Sequence, residues 1–224
     1  MNKKKISVLG GGSWGTVLAY LASLNGNLVY LWMRDKKVAE EINQKNINKK
    51  YLPHLNLGSN VTATSSMEDI SESDIVIFCV PSDAFREVSQ LSTKFIRESS
   101  YLITATKGVE KEGFKLMSKI LEEHYPGNPI GVLSGPNLAE EIASHHLSGT
   151  VIASKDKSLR DCVIADFSTD FFKVYENEDP YGVEMGGALK NIYAIACGIA
   201  DGLDSGENTI GMIMTRGLGE MGRL

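Results

Sequence analysis

The run Gly10-Gly11-Gly12-Ser13-Trp14-Gly15 carries the spacing G-x-G-x-x-G, in which backbone N–H groups cradle a pyrophosphate. Gly10 permits the tight turn, Gly12 lets a phosphate approach the backbone, and Gly15 allows a helix to pack closely on a strand. The helix opening there adds unpaired N–H groups and a partial positive charge, and Ser13 and Trp14 sit inside the loop, within reach of the ligand. Further on, Arg34-Asp35 offers both chemistries used at the adenosine ribose. An acidic residue accepts from a 2′-hydroxyl and an arginine accommodates a 2′-phosphate, so NAD and NADP both stay open. Two lysines stand in settings unusual for their type: Lys107 beside Gly108 after an apolar run, and Lys190 in Gly186-Gly187-Ala188-Leu189-Lys190-Asn191. Partial burial and a neighbouring positive charge, which Lys107 provides if it faces the same cleft, move a lysine toward the range of about 7–8 that suits proton transfer.

These residues need a scaffold, and the apolar periodicity describes one. Strand-like runs at 6–9, 28–33, 61–64, 75–80, 101–105, 130–133, 150–153 and 172–175 alternate with helical stretches at 16–24, 38–46, 85–95, 115–124, from 138, and at 159–167. Such alternation implies an α/β fold of Rossmann type, a mostly parallel sheet with helices on both faces. The glycine run follows the first strand and opens the first helix, the context that gives the motif its weight. Beyond Asp179 the pattern turns wholly helical, over 183–203 and from 209 to the end. The chain therefore divides into a dinucleotide-binding domain over 1–178 and the start of an all-α domain over 179–224. The second unit has few residues for a core of its own and is expected to be cut short. Its apolar stripe of Ala188, Leu189, Ile192, Ile195, Ala196 and Ile199 then predicts self-association.

Composition excludes other classes. The 224 residues are 42% hydrophobic and 23% charged, with a net charge of −5, which gives no general attraction to nucleic acid or acidic lipid. Cys79, Cys162 and Cys197 are odd in number and match no metal spacing, as expected of reduced thiols in a cytoplasmic protein. The basic start at Met1 to Lys5 leads into too short an apolar run for a signal peptide. Glu184, Lys190 and Asp201 interrupt the one long apolar stretch, so no membrane span is expected. The adjacent His145-His146 pair has no partner at ligand spacing, so no metal site is expected. His54 and His124 read as exposed, Phe85, Phe95, Phe167, Phe171 and Phe172 as core, and Glu140-Glu141 as favouring a helix dipole.

The order of several further motifs narrows the reading. Tyr51-Leu52-Pro53, Thr106-Lys107-Gly108, Ser134-Gly135-Pro136-Asn137-Leu138-Ala139-Glu140-Glu141, Lys190-Asn191, Asp201-Gly202-Leu203, Gly206-Glu207-Asn208 and Thr215-Arg216-Gly217-Leu218 follow the glycine run. This succession resembles the bacterial NAD(P)-dependent glycerol-3-phosphate dehydrogenases, from residue 4 to residue 222. The resemblance implies an oxidoreductase that interconverts dihydroxyacetone phosphate and sn-glycerol 3-phosphate for glycerophospholipid synthesis, as a homodimer. It implies Lys190 as catalytic acid/base, Lys107 at both cofactor and substrate, and Gly135 and Asn137 at the substrate. Ser13, Trp14, Arg34, Asp35, Tyr51 and Ala139 match its cofactor positions. Asn137 stands where the family usually has Ser or Thr, and an aspartate and a Ser-Arg-Asn run that hold the family's substrate would lie past Leu224. Two other readings stay open: a related dehydrogenase for another small hydroxy acid, and a dinucleotide-binding chain without turnover.

Overall fold

The computed structural model describes residues 3–223. Met1, Asn2 and Leu224 lie outside them, and with them part of the basic start and the last residue of the helix expected from 209. The described strands are β1 Lys5–Leu9, β2 Leu28–Trp32, β3 Val61–Thr64, β4 Ile75–Phe78, β5 Tyr101–Thr104, β6 Ile130–Ser134, β7 Ser148–Ala153 and β8 Phe172–Asn177. They form one sheet in the order β3-β2-β1-β4-β5-β6-β7-β8. The helices are α1 Ser13–Leu24, α2 Lys36–Lys45, α3 Ser82–Ser92, α4 Met117–His124, α5 Ala139–Ala143, α6 Lys157–Phe167, α7 Pro180–Gly202 and α8 Glu207–Met221.

A parallel sheet covered on both faces must be apolar on both faces of its strands. In β4 all four residues are buried. Ile75 and Ile77 enter the core cluster on one side, which includes Val17, Leu21 and Phe172, while Val76 and Phe78 enter the other, with Phe85 and Leu121. That division is the two-residue period of a strand turned into two hydrophobic layers. The chain winds from β1 outward to β3 and then returns to lay β4 beside β1. The crevice at the carboxyl ends of β1 and β4 is thus a topological switch point, where open α/β sheets take their ligands.

Neighbouring strands run parallel except β6 and β7. Ser134 of β6 pairs with Val151 of β7, so the intervening segment turns back at the cleft end of the sheet. Gly135, Asn137 and the short α5 therefore stay on the cleft side. After β8, α7 climbs along β6. Its start at Pro180 and Tyr181 lies beside Pro129 and Ile130, Gly187 packs on Ser134, and Lys190 reaches the Gly135 carbonyl. Gly217 lets α8 lie against the Tyr193 ring, where a Cβ would collide with it, and the Tyr193 hydroxyl donates to Glu220 at 3.0 Å.

Three details differ from expectation. Helix α1 begins at Ser13, earlier than expected, because Gly12 already caps it in an extended conformation. His124 is half-buried rather than exposed, with Nδ1 2.7 Å from the Ser89 hydroxyl. Phe95 and Phe171 are only partly buried against the core, Phe171 with its outer face stacked on His145 at 4.1 Å between ring centres.

Phe85 on α3 is 0% exposed and tilts against Phe78 at 5.6 Å between ring centres. Phe85→Ala should lower unfolding stability by about 3–5 kcal/mol. In urea this appears as a lower midpoint with an unchanged slope.

Candidate functional site

The switch point is built at atomic contact by its glycines. Gly10 has φ +130, and a Cβ there would strike the Cys79 carbonyl at the end of β4. Gly15 sits against the Gly10 carbonyl, with no room for any side chain, so α1 approaches β1 as closely as backbones allow. Gly12 faces the opposite situation, with nothing within 4 Å of its Cβ position. That open space lies at the N-terminus of α1, where no side chain caps the helix. The amides of the first turn are therefore available to an anion, and the helix dipole favours one.

All the residues matched to the cofactor line one cleft of about 550 Å³, Ala139 excepted. Gly10, Gly12, Ser13, Trp14 and Gly15 form its floor, Arg34, Asp35 and Tyr51 one end, and Lys107 the other. Ala139 opens α5 and packs half-buried against the core. Asp35 serves as a helix cap, since its Oδ1 accepts from the amides of Lys37 at 2.9 Å and Val38 at 3.3 Å at the start of α2. Arg34 is exposed and makes no ion pair among the described residues. The Lys50 ammonium lies 5.2 Å from the centre of the Tyr51 ring, so this end of the cleft is cationic and aromatic.

At the other end two lysines converge. Lys107 Nζ and Lys190 Nζ each donate to the Gly135 carbonyl at 3.2 Å. Lys107 rides on the loop after β5, held where Thr106 donates to the Val80 carbonyl at 2.7 Å. Burial, and then the neighbouring Lys190 ammonium, bring its pKa down to about 8, with the Cys79 side opposing. Burial pushes the Cys79 thiol up to about 12, so it is a neutral wall and no nucleophile at ordinary pH. Asn137 also lines the cleft, but its carboxamide is engaged at both ends. Nδ2 donates to the Gly149 carbonyl at 3.3 Å and Oδ1 accepts from the Thr150 hydroxyl at 3.2 Å. Both bonds tie the turn to β7. Gly135 and Lys190 lie just behind the lining, joined to it through Lys107.

Two residues that shape the site carry little signal in the sequence. Asn48, fully buried, donates from Nδ2 to the Gly11 carbonyl at 3.0 Å and to the Thr16 hydroxyl at 2.9 Å, bracing the glycine turn from a distant loop. Glu184 interrupts an apolar helix face, which marks it as unusual without naming its partner. His54 and Glu140 form an exposed pair at 3.2 Å. Among the described residues no group of three His, Cys, Asp or Glu side chains is placed to hold a metal ion, and no helix is long and apolar enough to cross a membrane.

Comparison with known proteins gives a consistent result. The family described as NAD-dependent glycerol-3-phosphate dehydrogenase N-terminus matches residues 5–160, and its C-terminus counterpart matches residues 179–224. The chain is 46% identical to the NAD(P)+ glycerol-3-phosphate dehydrogenase of Saccharophagus degradans, covering 99% of this chain and 62% of that protein. It is likewise 46% identical to the one from Alcanivorax borkumensis, covering 99% of this chain and 65% of that one. The crystal structure of glycerol-3-phosphate dehydrogenase from Coxiella burnetii superposes with a TM-score of 0.93 at 35% identity, covering 99% of this chain and 68% of that chain. The chain thus spans just under two thirds of the length of the curated relatives it matches.

The lysine pair makes a measurable statement. Amine labelling followed peptide by peptide should give Lys107 a midpoint at about 8. Lys190→Met should raise that midpoint, because removing a like charge favours the charged form of its neighbour.

Proposed function

The chain belongs to the NAD-dependent glycerol-3-phosphate dehydrogenase family, and we propose that it binds NADPH or NADH and interconverts dihydroxyacetone phosphate and sn-glycerol 3-phosphate. The observation that carries this reading is the convergence of Lys107, which lines the glycine-floored cleft, and Lys190 on one carbonyl oxygen just behind that lining. The space above Gly12 and the uncapped start of α1 fit a pyrophosphate. When bound, the dinucleotide supplies the hydride for the C2 carbonyl of the substrate. Negative charge then develops on that oxygen, and a positioned proton donor lowers the barrier. Lys190 is assigned that proton, with Lys107 adding positive charge beside it. In the reverse direction Lys190 takes the proton from the C2 hydroxyl. Gly135 and Asn137 shape the turn against which the substrate rests.

The domain plan follows the same reading: residues 1–178 bind the dinucleotide and 179–224 bring Lys190 to it. We assign the activity to the cytoplasm and to glycerophospholipid synthesis, and the active form to a homodimer, on family grounds. A second reading, dinucleotide binding without turnover, is favoured by one observation. Ile192, Ile195 and Ile199 on α7 and Met212 and Leu218 on α8 present large apolar side chains to solvent. Apolar surface of this extent is that of an interaction face, and with the face uncovered the cleft can hold a dinucleotide without a closed substrate site.

The cofactor choice can be sharpened. Both Arg34 and Asp35 line the cleft, but Asp35 spends Oδ1 on the helix cap while Arg34 is exposed and without an ion pair among the described residues, an arrangement suited to a 2′-phosphate. NADPH should therefore bind more tightly than NADH, and Arg34→Ala should weaken NADPH by about 10- to 100-fold while leaving NADH nearly unchanged. Fluorescence titration with each nucleotide reads this directly. Adding dihydroxyacetone phosphate to the same sample tests turnover. Oxidation of NADPH that disappears in Lys190→Ala, with nucleotide binding retained, supports the proposal. Tight binding with no oxidation favours the second reading, and oxidation by another small keto acid alone would reassign the substrate.

A further inference from the structure

Helix α7 has to deliver Lys190 to one carbonyl oxygen at the top of β6, and on its climb it passes through Gly186-Gly187, residues of low helix propensity. Two contacts fix its height. At Gly187 the helix lies so close to Ser134 that a Cβ would press on the hydroxyl at 2.5 Å. One turn earlier Glu184 is only 4% exposed. Its Oε1 accepts from the Ser118 amide at 3.0 Å and its Oε2 accepts from the Ser118 hydroxyl. Ser118 stands in the first turn of α4, whose own cap residue, Leu116, has no side chain able to serve. A carboxylate 66 residues away in sequence thus does the work of the missing cap, placed where the dipole of α4 favours negative charge.

The arrangement is chemically specific. Burial raises the Glu184 carboxyl pKa, the bonds from Ser118 and Met117 lower it, and Glu122 on α4 is the other charged group that bears on it. A buried carboxylate is retained only where its hydrogen bonds are well made, so Glu184 ties α7 to α4 at one position and not at its neighbours. Glu184, Gly187 and Lys190 occupy successive steps of three residues along the helix, on a face that turns gradually from α4 to Ser134 to Gly135.

We propose that Glu184 is a positioning residue, whose carboxylate on the N-terminus of α4 sets the height and rotation of α7 and so holds Lys190 on the Gly135 carbonyl beside Lys107. The inference rests on the functional reading only in taking Lys190 as the proton carrier. Its test is independent of turnover.

The ruler is the Lys107 labelling midpoint, which burial and Lys190 on α7 lower; its other titratable neighbour, Cys79 at the end of β4, is a neutral thiol in that pH range. In Glu184→Ala the midpoint should rise by about one unit toward that of Lys190→Met, because the second ammonium has moved away. Glu184→Gln keeps an acceptor oxygen for the Ser118 amide and should stay close to the unsubstituted chain. Ser118→Ala removes the hydroxyl bond but keeps the amide, and should give a smaller rise. It also decides the matter should Glu184→Ala fail to fold. Folded Glu184→Ala and Ser118→Ala proteins that melt earlier yet keep the original midpoint would reduce Glu184 to a packing role and overturn the proposal. A midpoint unmoved by Lys190→Met would overturn it as well, by showing that the lysines are not paired. Shifts as expected in a chain that does not oxidise NADPH with dihydroxyacetone phosphate would support the proposal while the functional reading fails.

Discussion

The carbonyl oxygen of Gly135 receives two ammonium groups that arrive from distant parts of the chain, Lys107 from the loop after β5 and Lys190 from the middle of α7. Like charges brought this close repel, and partial burial strengthens the repulsion by removing water. The carbonyl accepts from both, but burial first and the neighbouring ammonium second still loosen the Lys107 proton. A site in this condition favours an anionic or strongly polarised oxygen over the carbonyl it now has. The segments that carry the two lysines are each tied to α4. Arg86 on α3 pairs with both Glu110, on the Lys107 loop, and Glu123 on α4, and Glu184 holds α7 to the same α4.

The glycine end of the cleft is governed by a different constraint, close approach of backbones. Gly10 and Gly15 have no alternative residue because carbonyl groups occupy the space of their Cβ atoms, whereas Gly12 is small so that space remains. The antiparallel turn between β6 and β7 joins the two ends. Gly135 stands at the cleft by following the carboxyl end of β6, and the reversal into β7 lets Gly149 and Thr150 of that strand hold the Asn137 carboxamide there.

Much of this was legible in the residues. The strands announced themselves as unbroken apolar runs, since a sheet buried on both faces leaves no polar alternation, and Ile75 to Phe78 is the clearest case. The glycine turn was legible because its spacing has a steric cause at each position. Less legible was anything that depends on pairing across the chain. The direction of β7, the bracing of Gly11 by Asn48, and the binding of Glu184 to Ser118 are contacts between segments whose separation no local pattern encodes. The same holds for Asp35, whose place at the cleft is readable by position but whose second task, capping α2 through Oδ1, is not. Ala139, matched by resemblance to the cofactor, opens α5 away from the lining of the cleft. Its backbone position is visible in the sequence and its surroundings are not.

The most direct test is a crystal structure of the chain with NADP+ and sn-glycerol 3-phosphate bound. The account predicts the pyrophosphate over Gly12 on the amides of Ser13 and Trp14, with the Lys107 and Lys190 ammonium groups turned from the Gly135 carbonyl to the substrate's oxygens. A dinucleotide lying away from the glycine turn, or a substrate bound while both lysines remain on Gly135, would contradict it.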